Sequence, residues 1–353
     1  MKYLHVFSTD ENEKFSKSFI EFVNSNFNSK DHVFLLSNGK ETKTYISNAP
    51  NLKILPYNLN SILLISQYMI KSKRIFFHGF SNNKYIDAAL FFQPLLLKKS
   101  FWIIWGGDLY LYKSQNESIR NKIREMPRRF IFKNIGGLIT HIKGDYELAK
   151  KWYGAKGKYY YSFMYLSNLH KKHDDIHVKK DNKIYIQVGN SALDTNEHIE
   201  IFNKLKIYKE EAIEIICPLS YAHESNPNYR DKVIETGRSI FGDKFNPIVE
   251  FLPFNEYVSL LSKVDIAIFN HKRQQAVGNI TTLLGLGKKV YIRNDITTWD
   301  FCREHGLKVF NANGNLDDLF VKMDNYSSRE NVNNVKSMFS EEKLIEDLNK
   351  LFS

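Results

Sequence analysis

The feature that most constrains this chain is a repeated alternation. Short runs rich in β-branched and aromatic residues are each followed by a segment of helical periodicity. In the first half, 2–7, 32–36, 74–78, 101–105 and 137–141 read as buried strands, with helical patterns such as 14–26 and 62–71 between them. The second half starts the pattern again. It offers strands at 183–188, 214–219, 249–252, 265–269 and 289–293, helices at 197–205, 229–241, 255–263 and 279–286, and a last helix at 341–351. Such alternation predicts βαβ units and parallel sheets. At 353 residues the chain is also too long for one ordinary core. The expected architecture is α/β: two Rossmann-like domains with parallel sheets facing a cleft. We place an N-terminal domain at 1–167, a linker at 168–182 and a C-terminal domain at 183–335. A C-terminal helix at 336–353 is free to pack back on the first domain. Ligands of such sheets bind at the carboxyl ends of the strands.

The polar stretch between the halves lacks apolar periodicity. Its His170, His173 and His177 have a spacing that invites a metal, but a charged run with no helix or strand to hold it reads first as a solvated linker. The net charge of +11 asks for an anionic partner: nucleic acid, an anionic membrane or a phosphorylated substrate. The two cysteines, Cys217 and Cys302, form neither a zinc-ribbon pair nor a disulfide framework and fit a reducing compartment. No secretory segment opens the chain, and the longest apolar stretch, 88–105, is broken by Lys98 and Lys99. These features lead us to expect a cytoplasmic protein that can touch a membrane without crossing it.

Two loops of the second half have the composition of an anion cradle. Gly189, Asn190 and Ser191 follow a strand and lead through Asn196 and Glu197 into a helix. Glycine permits close backbone approach, and a helix N-terminus supplies free N–H groups and a positive dipole end. An ordinary capped turn would carry the same residues. The second loop, with Arg273, Gln274 and Gln275 before Gly278 and Asn279, adds a guanidinium beside another helix start. Phe254, after a strand and Pro253, is a candidate for stacking on a nucleobase, although such turns more often just pack.

In the first half, a buried strand ends in Trp105, Gly106, Gly107 and Asp108, with Tyr110 just beyond. Aromatic rings stack on sugars, and a carboxylate can bind a hydroxyl or remove its proton. His78, closing the strand 74–78, is a second candidate base. A structural histidine and a helix-capping aspartate are the plain alternatives. Arg128 and Arg129 belong to a basic segment, 120–133, interleaved with apolar residues. That segment can lie on an anionic membrane, bind a diphosphate, or simply be a solvated helix that Pro127 keeps short.

Taken in order, these residues resemble a known family. Phe76-Phe77-His78-Gly79, Trp102 with Ile104 to Tyr110, Arg128-Arg129, Val188 to Ser191 with Asn196-Glu197-His198, and Arg273-Gln274-Gln275 with Gly278 are similar to the TDP-N-acetylfucosamine:lipid II transferases of enterobacterial common antigen synthesis, glycosyltransferase family 56. The resemblance spans essentially the whole chain, while the stretch 219–228 around Tyr221 departs from the family's pattern. It implies a GT-B fold with no essential metal and no cofactor. It implies a TDP-linked deoxyamino sugar as donor and a polyprenyl-diphosphate-linked saccharide as acceptor, in common antigen or O-antigen synthesis. It also implies work at the cytoplasmic face of the inner membrane. On this reading Gly189, Asn190, Ser191, Asn196, Glu197, Tyr221, Phe254, Arg273, Gln274, Gln275, Gly278 and Asn279 serve the nucleotide sugar. Trp105, Gly106, Tyr110, Arg128 and Arg129 serve the acceptor, with Asp108 or His78 as base. Two other classes compete: a sugar-nucleotide 2-epimerase on the same architecture, and a basic nucleic-acid-binding protein. For the latter no helix-turn-helix, zinc-finger or RNP-type motif is found.

Overall fold

The computed structural model of the chain describes residues 1–7, 15–38, 49–56, 60–80, 84–114, 119–170, 181–222 and 226–353. His173 and His177 of the suggested metal spacing lie outside them. The chain divides into two compact units, residues 1–167 with 341–353, and residues 168–340.

The first unit is built on seven parallel strands: β1 (Tyr3–Phe7), β2 (His32–Asn38), β3 (Leu52–Pro56), β4 (Arg74–His78), β5 (Ser100–Ile103), β6 (Gly137–Ile139) and β7 (Lys158–Tyr160). Their spatial order is β3-β2-β1-β4-β5-β6-β7. The strand order therefore reverses between β1 and β4, which is where an open α/β sheet presents a crevice. One face of this sheet (Leu4, Val6, Leu35, Ile75, Phe77, Trp102) packs under α2 (Asn60–Lys71), α3 (Lys84–Phe92), α5 (Ile119–Asn134) and α6 (Lys143–Tyr153). The other face is aromatic, because strand residues alternate sides. On it His5 stacks between Phe34 and Phe76, covered by Phe19 of α1 (Ser16–Asn26) and by Phe352. Phe352 follows α13 (Glu341–Leu351), so the end of the sequence completes the first unit. Arg74 Nη1 donates to the Leu351 carbonyl at 2.6 Å.

The second unit repeats the plan with six strands: β8 (Ile184–Val188), β9 (Ile213–Pro218), β10 (Phe245–Ile248), β11 (Ile266–Phe269), β12 (Lys289–Ile292) and β13 (Phe310–Asn311), in the order β10-β9-β8-β11-β12-β13. Its switch point lies between β8 and β11. The helices are α7 (His198–Leu205), α8 (Pro227–Phe241), α9 (Phe254–Lys263), α10 (Val277–Gly285), α11 (Thr297–Glu304) and α12 (Asn325–Met338). Cys217 and Cys302 are free and buried. No helix among the described residues is long and apolar enough to cross a membrane.

Four sequence expectations need correction. The strand expected at 249–252 is instead β10, four residues earlier. This edge strand tolerates Pro247 opposite Cys217, while Phe251 is 77% exposed. Residues 336–353 are not one helix, since 336–338 close α12 and α13 starts at Glu341. Pro127 does not shorten α5, which runs on through it. Burial of Ile131, Phe132 and Arg128 just beyond offsets the ~3 kcal/mol that an interior proline costs. Finally, α10 begins at Val277, so Gly278 and Asn279 lie within its first turn.

Candidate functional site

In the second unit the loops after β8 and β11 meet at the switch point. Gly189 follows β8 directly with φ +70°, and its N–H donates to Ile268 O at 3.0 Å. A Cβ there would stand 2.4 Å from His198 Nε2 and 2.8 Å from Asn196 Oδ1. Both the backbone and the space thus demand glycine.

Asn196 is the hub. Its Oδ1 accepts from Asn190 N at 3.0 Å and from His271 Nε2 at 2.8 Å. Its Nδ2 donates to Ser191 Oγ and to Leu193 O, each at 3.0 Å. That is the full hydrogen-bonding capacity of the amide. Because Oδ1 can only accept, His271 carries its proton on Nε2 and leaves a lone pair on Nδ1. Gln275 sews the loops together: Nε2 reaches Asn190 Oδ1 at 3.3 Å and Ser191 Oγ at 3.2 Å, and Oε1 accepts from Thr195 Oγ1 at 2.9 Å. Lys272 pairs with Glu197 at 2.6 Å.

Two helices start here without side-chain caps. The residue before α7 is Glu197, at φ 50°, and the one before α10 is Ala276, at φ 59°; both are left-handed non-glycine residues. Such backbone costs about 1–3 kcal/mol and gathers at functional sites. Arg273 is half-buried, with Nη1 on Gln274 O at 3.0 Å. Burial holds the His271 imidazole well below its ordinary pKa, helped by the Arg273 charge, and burial pushes His198 down to about 3, so both are neutral. His271 Nδ1, His198 Nε2 and Gln274 Oε1 are buried with no hydrogen-bond partner among the described residues. Buried polar atoms are rarely left so.

The structure thus brings together Gly189, Asn190, Ser191, Asn196, Glu197, Arg273, Gln274 and Gln275. Asn279 is committed to Tyr257, whose hydroxyl donates to its Oδ1 at 2.7 Å. Gly278 has no positive φ; the left-handed position is Ala276. Tyr221 contributes its carbonyl, which accepts from Ala192 N at 2.9 Å. Phe254 is not in a turn before the helix but is the first residue of α9. The sequence offered no role for His271 and read Thr195 and His198 only as parts of the turn into the helix; their place in the bridge is visible only once the two loops are neighbours.

In the first unit the candidate bases are both engaged by protein groups. Asp108 opens α4 (Gly107–Ser114) and is buried. Its Oδ2 accepts from Trp102 Nε1 at 2.6 Å and Phe80 N at 3.0 Å, and its Oδ1 from Trp105 N at 3.0 Å and Leu109 N at 2.9 Å. Burial pushes the carboxyl's pKa up, while the Trp102 indole, the Phe80 amide and Arg128 pull it back. Asp108 therefore acts as a clamp joining β4, β5 and α4, and the geometry corrects its reading as a base. His78 is fully buried in a chain of bonds. His32 Nδ1 meets His5 Nε2 at 3.1 Å, His5 Nδ1 meets His78 Nε2 at 3.1 Å, His78 Nδ1 meets Tyr165 Oη at 2.9 Å, and Trp105 Nε1 donates to Tyr165 Oη at 2.6 Å. Both ring nitrogens of His78 are taken, so it too is corrected from base to structural link. The signal for this chain was cross-strand register, since Tyr3 faces His32 and Phe7 faces His78.

Trp105 stays half-buried beside Gly79, and Gly106 has φ +82°. Tyr110, expected at the acceptor, is instead a core residue packed on Trp152. Arg128, expected to meet an anion, is buried. Its Nη2 donates to Asp108 O at 2.6 Å, and its guanidinium lies 4.8 Å from the Phe132 ring centroid. Arg129 is exposed, over Tyr112. Among the described residues no group of three or more His, Cys, Asp or Glu side chains is arranged to hold a metal.

Known proteins match this organisation. The family described as 4-alpha-L-fucosyltransferase glycosyl transferase group 56 matches residues 1–341. The chain's fold is similar to that of a sucrose-phosphate synthase from Thermosynechococcus elongatus, with TM-score 0.73, 9% identity and coverage of 100% of this chain and 98% of that one. It is also similar to HepE of Anabaena, solved with UDP and glucose, with TM-score 0.70, 9% identity and coverage of 100% and 99%. A putative UDP-N-acetylglucosamine 2-epimerase from Listeria monocytogenes matches at TM-score 0.57 and 15% identity, over 99% and 94% of the two chains. At these identities the likeness is one of fold, and that fold is GT-B.

Proposed function

The chain belongs to glycosyltransferase family 56, and on that premise we propose that it moves a 4-acetamido-4,6-dideoxyhexose from a TDP-sugar to a polyprenyl-diphosphate-linked saccharide in bacterial surface-glycan synthesis. Glycosyl transfer itself follows from the family. The observation that supports a nucleotide-diphosphate donor is the switch-point cradle of the second unit, where two helix starts without side-chain caps and Arg273 adjoin buried polar atoms that lack partners.

In this reading the donor's anomeric C–O bond breaks and its electron pair leaves with TDP. The acceptor oxygen forms the new bond and gives up its proton to water, since Asp108 and His78 are both committed to protein partners. The first-turn N–H groups of α10 and the Arg273 fork stabilise the charge that grows on the departing diphosphate. Such preorganised donors supply the stabilisation that a divalent cation gives elsewhere, so the transfer runs without metal. Asn196 and His271 touch the loop rather than the reacting atoms, and hold Asn190 and Ser191 in place. The lipid-linked acceptor implies a peripheral enzyme at the cytoplasmic face of the inner membrane.

The test is a calorimetric titration with TDP, UDP, GDP and ADP, with and without EDTA. Metal-independent preference for TDP supports the donor. Preference for UDP or GDP keeps the glycosyltransferase and overturns the donor. Conversion of the nucleotide sugar with no acceptor present would instead favour an epimerase.

A further inference from the structure

The first unit carries an exposed apolar surface that the transfer reaction does not use. Phe92 at the end of α3 is 79% exposed, and Leu95, just after it, 77%. Phe91 links this end to α5, its ring centroid 5.5 Å from Phe92 and 5.4 Å from Phe130. Met126 lies one turn before Phe130 on the same face of α5. On α2, which packs against α3, Leu63 is 72% exposed. These residues turn outward from helices whose other sides, Ile65, Met69, Ile86, Leu90, Ile131 and Phe132, fill the core. Isolated exposed apolar residues are ordinary on a protein surface, but large ones gathered on adjoining elements mark an interaction site.

The charges around them narrow the partner. Lys71, Lys98, Arg129 and Lys133 are exposed on or beside the same elements. The carboxylates of the described residues in α2, α3 and α5 are Asp87 and Glu125. Glu125 is buried, and both are coupled to the buried Arg128. The layer therefore offers aromatic and aliphatic tips fringed by cations, with its acids turned inward. Interfacial segments that seat in anionic bilayers have this pattern, with apolar side chains in the acyl boundary and lysine and arginine at the headgroups.

We infer that the outer face of α2, α3 and α5, led by Phe92 and Leu95, is a docking surface for an anionic lipid bilayer. The face takes in Met126, Arg129, Phe130 and Lys133 of the basic segment read in the sequence, extends it onto α2 and α3, and leaves out Arg128, which is interior. The inference takes its biological purpose from the lipid-linked acceptor proposed above, but the contact itself does not depend on the donor.

The experiment is flotation of the full chain with vesicles of phosphatidylcholine alone, or mixed with phosphatidylglycerol, at low and high salt. The double variant Phe92→Ser/Leu95→Ser and the single variant Lys98→Glu accompany it. All three positions are exposed and outside the donor cradle, so thermal melting and TDP titration should match wild type and serve as the folding check. Wild type should float with phosphatidylglycerol vesicles and lose that binding in high salt. The double variant should partition about tenfold more weakly or worse, and Lys98→Glu should weaken only the salt-sensitive part. Equal flotation of wild type and double variant would overturn the inference. So would a wild-type dimer that the double variant converts to monomer without any effect on flotation, since the face would then be meeting a second copy. TDP binding that fails while flotation behaves as expected would overturn the donor reading and leave this one standing.

Discussion

Replacing Asn196 with alanine removes four hydrogen bonds from one buried point. Asn190 N–H and His271 Nε2–H lose their acceptor, while Leu193 O keeps the backbone N–H of residue 196 and Ser191 Oγ keeps Gln275. At about 1–3 kcal/mol per buried group left unpaired, and allowing for partial relaxation, the loss should be about 3 kcal/mol. Urea unfolding followed by circular dichroism measures it, and native-state hydrogen exchange should show the Asn190 amide opening far more readily. TDP affinity should fall with it, because the loop at 189–191 loses its anchor. A cycle with His271→Phe isolates the shared bond. The two changes should couple by about 1 kcal/mol or more, whereas independent sites would add within about 0.5 kcal/mol. An Asn196→Ala protein with wild-type unfolding, or a cycle with no coupling, would refute the hub.

Four other outcomes are expected. Gly189→Ala should weaken TDP binding and destabilise the protein by more than Gly154→Ala, since Gly154 (φ +65°) has open space around it and its variant bears only about 1–2 kcal/mol of left-handed strain; thermal melts of the two decide this. Asp108→Asn places N–H against N–H among the four donors, so its melting temperature should drop; an unchanged melt with selective loss of turnover would restore Asp108 as the base. Burial depresses His5, His78 and His32, the last to about 4, so each binds a proton more readily once unfolded; stability should be full above pH 6.5 and fall by ~1.4 kcal/mol per pH unit per histidine as pH drops toward 4, and a urea midpoint flat from pH 7 to 5 would contradict this. Arg273→Ala should cost about tenfold or more in TDP affinity by calorimetry, and unchanged binding would remove it from the cradle.

Much of the fold was legible because central parallel strands are apolar on both sides. β1, β4, β8 and β11 stand out as short hydrophobic runs. The strands missed, β3, β7 and β13, lie at or next to sheet edges, where lysine, tyrosine and asparagine dilute the signal. At the switch point of the second unit, Gly189, Asn196 and Arg273 could be read from loop chemistry following a strand. His271 could not, since its role depends on a partner 75 residues away. The first unit misled for a related reason. Asp108, His78, Tyr110 and Arg128 have the residue types of a reactive centre, and only tertiary contacts reveal that they are interior. Arg128 sits in a segment whose charge suggests solvent, but its guanidinium finds Asp108 O and the Phe132 ring.

The return of α13 to the first unit has a consequence for synthesis. Domains commonly fold as they leave the ribosome, the N-terminal one first. Here the aromatic face around His5 and His32, which Phe19 covers in part, stays incompletely covered until Phe352 has been made, after all of the second unit. The first-made domain is thus the last to be finished, and a nascent chain halted at residue 340 would expose that face to chaperones and proteases while its partner domain had already folded.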